Sequence, residues 1–140
     1  MKLYVREPGT DRLLELATNA SGNRLAVLAI SAVEVRSAIR RRERAGDIES
    51  KMAELILDRL RHHSETRFLR QPLNDLVLDS ALEMIDRYAL RTYDAIQLAG
   101  CLVLRSAAGM DTPTFVCADR QLIEAADSEL LSVLDPCAAH

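Results

Sequence analysis

Pro113-Thr114-Phe115-Val116-Cys117-Ala118-Asp119 runs into Leu122, Ile123 and Ala126, and these into Leu131 to Leu134 before Pro136. An apolar run closed by a carboxylate, then apolar residues three and four apart, then a second apolar run, spell strand, helix and strand. Two strands joined through a helix are expected to lie parallel, because the crossover returns the chain to the same edge of the sheet. Further upstream, Arg24 to Ile30 is a nearly continuous apolar run, the pattern of a parallel strand buried on both faces. Ser31-Ala32-Val33-Glu34 follows with the spacing of a capping box, Ser31 at N-cap and Glu34 at N3, opening a helix through Val35, Ala38 and Ile39. Ala45-Gly46-Asp47 stops that helix. Met52, Leu55, Ile56 and Leu60 then form one stripe of a second helix, which suggests an antiparallel hairpin.

The remaining segments continue the alternation. Thr66 to Leu73, with Phe68 as its aromatic, reads as a short strand, and Asn74 or Asp75 can cap a helix through Val77, Leu78, Ala81, Leu82 and Ile85. Asp94 to Leu104 is apolar nearly all round, as a helix packed in the interior is. Before these elements, the Glu7-Pro8-Gly9 turn and a cap at Thr10 or Asp11 introduce a helix carrying Leu13, Leu14 and Ala17. The order predicts an α/β fold with a mostly parallel sheet covered by helices on both faces. In such a fold, ligands sit beyond the carboxyl ends of the strands.

Composition bounds the function. A chain of 140 residues with 49% hydrophobic and 28% charged residues is expected to form a single globular domain. The longest apolar run, Leu25 to Ile30, is far short of the roughly 18 to 20 residues of a membrane span, and charge interrupts the first residues before any signal-peptide core can form. A cytoplasmic protein without a membrane partner is the expectation. The three cysteines, Cys101, Cys117 and Cys137, are widely spaced and read as small buried thiols rather than a disulfide framework or zinc site. Net charge is −3, so no global field draws nucleic acid; Arg36, Arg40, Arg41, Arg42 and Arg44, interrupted by Glu43, read first as a solvated helix face and second as a local basic patch able to grip phosphates. The five glycines occur singly and form no phosphate-binding loop, so a nucleotide cofactor is not implied.

Among 21 acidic residues, Glu34, Asp94 and Asp119 stand apart, because each follows an apolar strand or begins an apolar helix. Each alone is explained by capping or by the helix dipole. Together they would share the carboxyl edge of a parallel sheet, where neighbouring carboxylates resist ionisation unless a cation neutralises them. An oxygen-only ligand set suits Mg²⁺ or Mn²⁺, and such ions serve phosphodiester cleavage. Nucleophilic catalysis fits poorly, since no Ser or Cys lies in a nucleophile elbow and the histidines are His62, His63 and His140.

These residues resemble a PIN-domain ribonuclease of the VapC type, the toxin of toxin-antitoxin pairs, over almost the whole chain. The most specific match is Leu90-Arg91-Thr92-Tyr93-Asp94-Ala95-Ile96-Gln97-Leu98-Ala99, with Asp94 in the acidic position. Ser31 to Ile39 matches a second motif through Glu34, Phe115 to Leu122 matches a fourth through Asp119, and Leu134-Asp135-Pro136 is similar to the end of the last strand. Gln97 and Cys117 depart from the usual His and hydroxyl residue. The family's first strand, central in its sheet and ending in a further acidic ligand, would precede Lys2. The resemblance therefore implies a PIN-like three-layer fold that lacks this strand, in one N-terminally incomplete domain over residues 1–140. It also implies a Mg²⁺- or Mn²⁺-dependent endoribonuclease with Glu34, Asp94 and Asp119 as catalytic metal ligands, Arg36 and Arg40 as RNA contacts, an antitoxin partner and a homodimer. A non-catalytic module that binds an antitoxin-like partner is the alternative.

Overall fold

The computed structural model describes residues 25–66, 68–108 and 113–138, in a mixed α/β arrangement. They belong to two compact units, with the division between Pro72 and Leu73. The expected helix around Leu13 and Leu14 lies outside the described residues.

In the first unit, β1 (Leu25–Leu28) passes through Ala29 into α1 (Ile30–Arg44). The capping box is not used: Ala29 is the N-cap, already in the right-handed helical region at φ −54 and ψ −35, with no side-chain cap. Its N–H donates to the carbonyl of Gln71 at 2.8 Å, so the strand ladder itself turns the chain into the helix two residues early. Glu34 consequently lies in the second turn rather than at N3. β1 is also shorter than Arg24 to Ile30, and its burial is incomplete: on one face Ala26 is exposed and Leu28 buried, and Val27 on the other is half-buried. Among the described residues its partner is β2 (Phe68–Gln71), which it pairs in parallel from Leu25 opposite Phe68 to Leu28 opposite Gln71.

Gly46 ends α1 as its sequence predicts. It sits at φ +82, where an L side chain is strained, and donates to the Glu43 carbonyl while Asp47 donates to that of Arg42. These two bonds close a Schellman motif. α2 (Ser50–Thr66) then packs on α1 through a stripe that keeps Ile56 and Leu60 of the expected one but is rotated away from Met52 and Leu55. Ala53, Ile56, Leu57 and Leu60 are buried with Ile39, whereas Met52 and Leu55 are exposed. Both stripes have helical spacing. The buried one places the small Ala53 beside α1, where a close helix approach favours a short side chain.

The second unit opens with α3 (Asp75–Arg87), capped by Asn74, whose Oδ1 accepts from the Val77 N–H at 3.1 Å. Asn74→Ala removes this side-chain partner of the helix start, and is expected to lower stability by about 1 kcal/mol in a urea melt. A loss below about 0.2 kcal/mol would show that the cap is replaced by water. α3 buries Val77, Ala81 and Met84, and packs most extensively against α4 (Thr92–Ala108), which buries Ala95, Ile96, Leu98, Ala99 and Leu102. This matches the all-round apolar character of α4. β3 (Thr114–Val116), α5 (Arg120–Ser128) and β4 (Ser132–Leu134) complete the unit, and β3 pairs in parallel with β4 from Thr114 opposite Ser132 to Val116 opposite Leu134.

The strands are thus parallel, as their helical connections require, but the described residues form two separate two-stranded sheets rather than one continuous sheet. No described helix is long and apolar enough to cross a membrane. Cys101 and Cys117 are partly buried free thiols, whereas Cys137 is exposed, contrary to its reading as a buried residue.

Candidate functional site

In a parallel pair both strands end at the same edge, and β3 and β4 each release a carboxylate there. The ladder continues one residue past β3, where the Cys117 N–H donates to the Leu134 carbonyl at 3.1 Å. Asp119 follows two residues later and Asp135 directly follows β4. Asp119 caps α5, its Oδ1 accepting from the Leu122 N–H at 2.9 Å. Nothing among the described residues donates to its Oδ2. The capping role was legible in the sequence and holds.

Asp94 enters from α4, in whose first turn it lies half-buried. It accepts no hydrogen bond among the described residues. Burial is the main reason its carboxyl titrates above the ordinary range, the negative charge of Asp119 adds to the effect, and Arg91 opposes it. The Asp119 carboxylate, from a different element, therefore stands close enough to oppose the ionisation of Asp94. Cys117 lies within the same field: burial raises its pKa first, a hydrogen bond with the Asp119 backbone lowers it, and the charges of Asp119, Asp94 and Asp135 raise it again. Asp135 was missed as a site candidate. Its signal is the one that marked Asp119, a carboxylate directly after a parallel strand, but its Oδ1 accepts from the Cys137 N–H at 2.8 Å in the closing turn.

The frame that fixes this edge consists of polar links between α5 and the α3–α4 region. Gln121 Nε2 donates to the Ala89 carbonyl at 2.5 Å near the start of α5. At its far end, Glu129 accepts from Arg87 at 3.1 Å and from the Tyr88 hydroxyl at 2.5 Å, while its carbonyl accepts from Arg105 at 2.8 Å. Both ends of the helix that carries Asp119 are thus held to the elements flanking Asp94. Gln97, where the resembled motif has His, donates to the Tyr93 hydroxyl at 2.6 Å one turn back on α4.

Glu34 belongs to the first unit, where it is exposed on α1. Arg36 is also exposed, whereas Arg40 donates to Glu43 at 2.7 Å and to Glu54 of α2 at 2.9 Å. The Arg40 guanidinium holds the Glu43 carboxyl below its usual range and ties α1 to α2. Among the described residues, no group of three or more His, Cys, Asp or Glu stands together in the manner of a metal site. Chemically, the Asp94 and Asp119 pair offers hard oxygen donors and a charge excess that a divalent cation would relieve. A thiolate is disfavoured at Cys101, which burial pushes up to about 11. No family model matches the chain, and no curated protein matches it.

Proposed function

We propose that this protein is a divalent-metal-dependent endoribonuclease of PIN type, hydrolysing RNA phosphodiester bonds as the toxin of a toxin-antitoxin pair. The observation that carries the reading is the convergence of Asp94 and Asp119 at the carboxyl edge of the β3–β4 pair, with Asp94 resisting ionisation. These two carboxylates would hold Mg²⁺ or Mn²⁺. A divalent ion held there would supply neutralisation of phosphate charge and activation of water. Arg36 is the freer of the two arginines for RNA, because Arg40 is bonded to two carboxylates. The parallel pairing of the strands in each unit is what supports an α/β fold assignment. An antitoxin partner, a homodimer and a cytoplasmic location follow from the same reading.

The alternative is a non-catalytic PIN-fold module that binds an antitoxin-like partner. It is favoured by the structural role that Asp119 already has as the cap of α5.

Asp119 allows structure and chemistry to be separated. Asn is as good an N-cap as Asp, so Asp119→Asn keeps the bond to the Leu122 N–H but removes the charge, whereas Asp119→Ala removes both. In an assay of Mn²⁺-dependent RNA cleavage, both variants are expected to lose activity, and only the Ala variant also loses about 1 kcal/mol of stability. Cleavage by Asp119→Asn at the wild-type rate would leave Asp119 as a cap alone and remove it from the proposed site.

A further inference from the structure

α3 carries more apolar surface than its own unit uses. Its buried face is Val77, Ala81 and Met84, yet Leu78, Leu82 and Ile85 are 41%, 63% and 40% exposed. At 3.6 residues per turn these three fall within an arc of about 60°, in the i, i+4, i+7 pattern that receives a partner helix. Beside them, on the side away from the buried face, run Asp75, Asp79 and Asp86, all exposed. None of these three makes a hydrogen bond or ion pair among the described residues. Glu83 lies next to the row but is already paired at 4.0 Å with Arg87, the helix's only basic residue, which also reaches Glu129 at 3.1 Å.

We propose that this face of α3 docks a basic amphipathic helix of another protein, whose apolar stripe covers Leu78, Leu82 and Ile85 and whose Lys or Arg side chains pair with Asp75, Asp79 and Asp86. The charge pattern selects this occupant. A second copy of α3 packed antiparallel through the same stripe brings both acidic rows to one side, where they repel. Packed parallel, it places them on opposite sides without a cation for either. An anionic bilayer is repelled by the same row. The inference uses neither Asp94 nor Asp119 and stands apart from the nuclease reading.

The test is fluorescence anisotropy of a labelled helical peptide with leucines at i, i+4 and i+7 and lysines on one flank, titrated with the full chain. Saturable binding is expected, with at least about tenfold weakening for Leu82→Asp, for Asp79→Lys/Asp86→Lys, and for a peptide carrying Glu in place of Lys. The melting temperature of Leu82→Asp should equal that of the wild type. Equal binding of the Lys and Glu peptides, no binding of the Lys peptide, or unchanged binding by Leu82→Asp overturns the proposal. So does concentration-dependent dimerisation abolished by Leu82→Asp, which assigns the face to a second copy. A marked drop in melting temperature for that variant would instead place the stripe in contacts within the chain, and adsorption of the wild type to phosphatidylserine vesicles would assign it to a membrane.

Discussion

Asp94→Asn is expected to reduce Mn²⁺-dependent RNA cleavage by more than about a hundredfold, because even groups that only orient a metal ligand cost 10 to 100-fold when removed. The same substitution is expected to stabilise the protein slightly at neutral pH in the presence of EDTA. Asp94 titrates above its ordinary range in the folded chain, chiefly through burial and then through Asp119, so its carboxylate form is the one folding disfavours. Its contribution is therefore most favourable below about pH 4, where it is protonated in both states, and declines as pH rises through the raised folded value. Asn carries no charge at any pH. It should gain on the order of 0.5 kcal/mol at pH 7, the scale of a solvent-screened charge interaction, and nothing below about pH 4. Activity lost together with stability gained is the mark of a residue kept for chemistry. If Asp94→Asn lowers the melting temperature at pH 7, Asp94 is a structural residue and the assignment of its role is wrong.

Leu98→Ala is expected to cost about 2 to 5 kcal/mol. Leu98 is fully buried one turn beyond Asp94 on α4, and is among the largest completely buried side chains of the described residues. Truncating it removes three carbons from the interior, and the loss grows with whatever part of that volume its surroundings cannot refill. Against a typical total of 5 to 15 kcal/mol the loss is large enough to lower the denaturant midpoint markedly, with the slope of the transition unchanged. A cost below about 1 kcal/mol would mean that α4 is not the interior helix its burial describes.

How much of this was legible in the sequence depended on whether the signal was local. The Asn74 and Asp119 caps, the Gly46 stop and the apolar α4 are set by residues within one or two turns, and each was readable. The start of α1 was not, because the bond from Ala29 to Gln71 spans more than forty positions and overrides the capping box at Ser31 and Glu34. The α2 stripe was ambiguous for another reason. Met52 and Leu55 are more hydrophobic than Ala53, but the fit against Ile39 decides which face is buried. At the site, strand ends pointed to Asp119, and the same rule applied evenly would have included Asp135. Glu34 rested on a motif and a sheet-edge argument, and it lies in the first unit while the two aspartates lie in the second.

The central claim is that Asp94 and Asp119 together hold a divalent cation. Isothermal titration of Mn²⁺ into the 140-residue chain tests it most directly. Saturable binding that disappears in the Asp94→Asn/Asp119→Asn variant is predicted. An absence of saturable heat in the wild type, or binding that survives the double substitution, would contradict it.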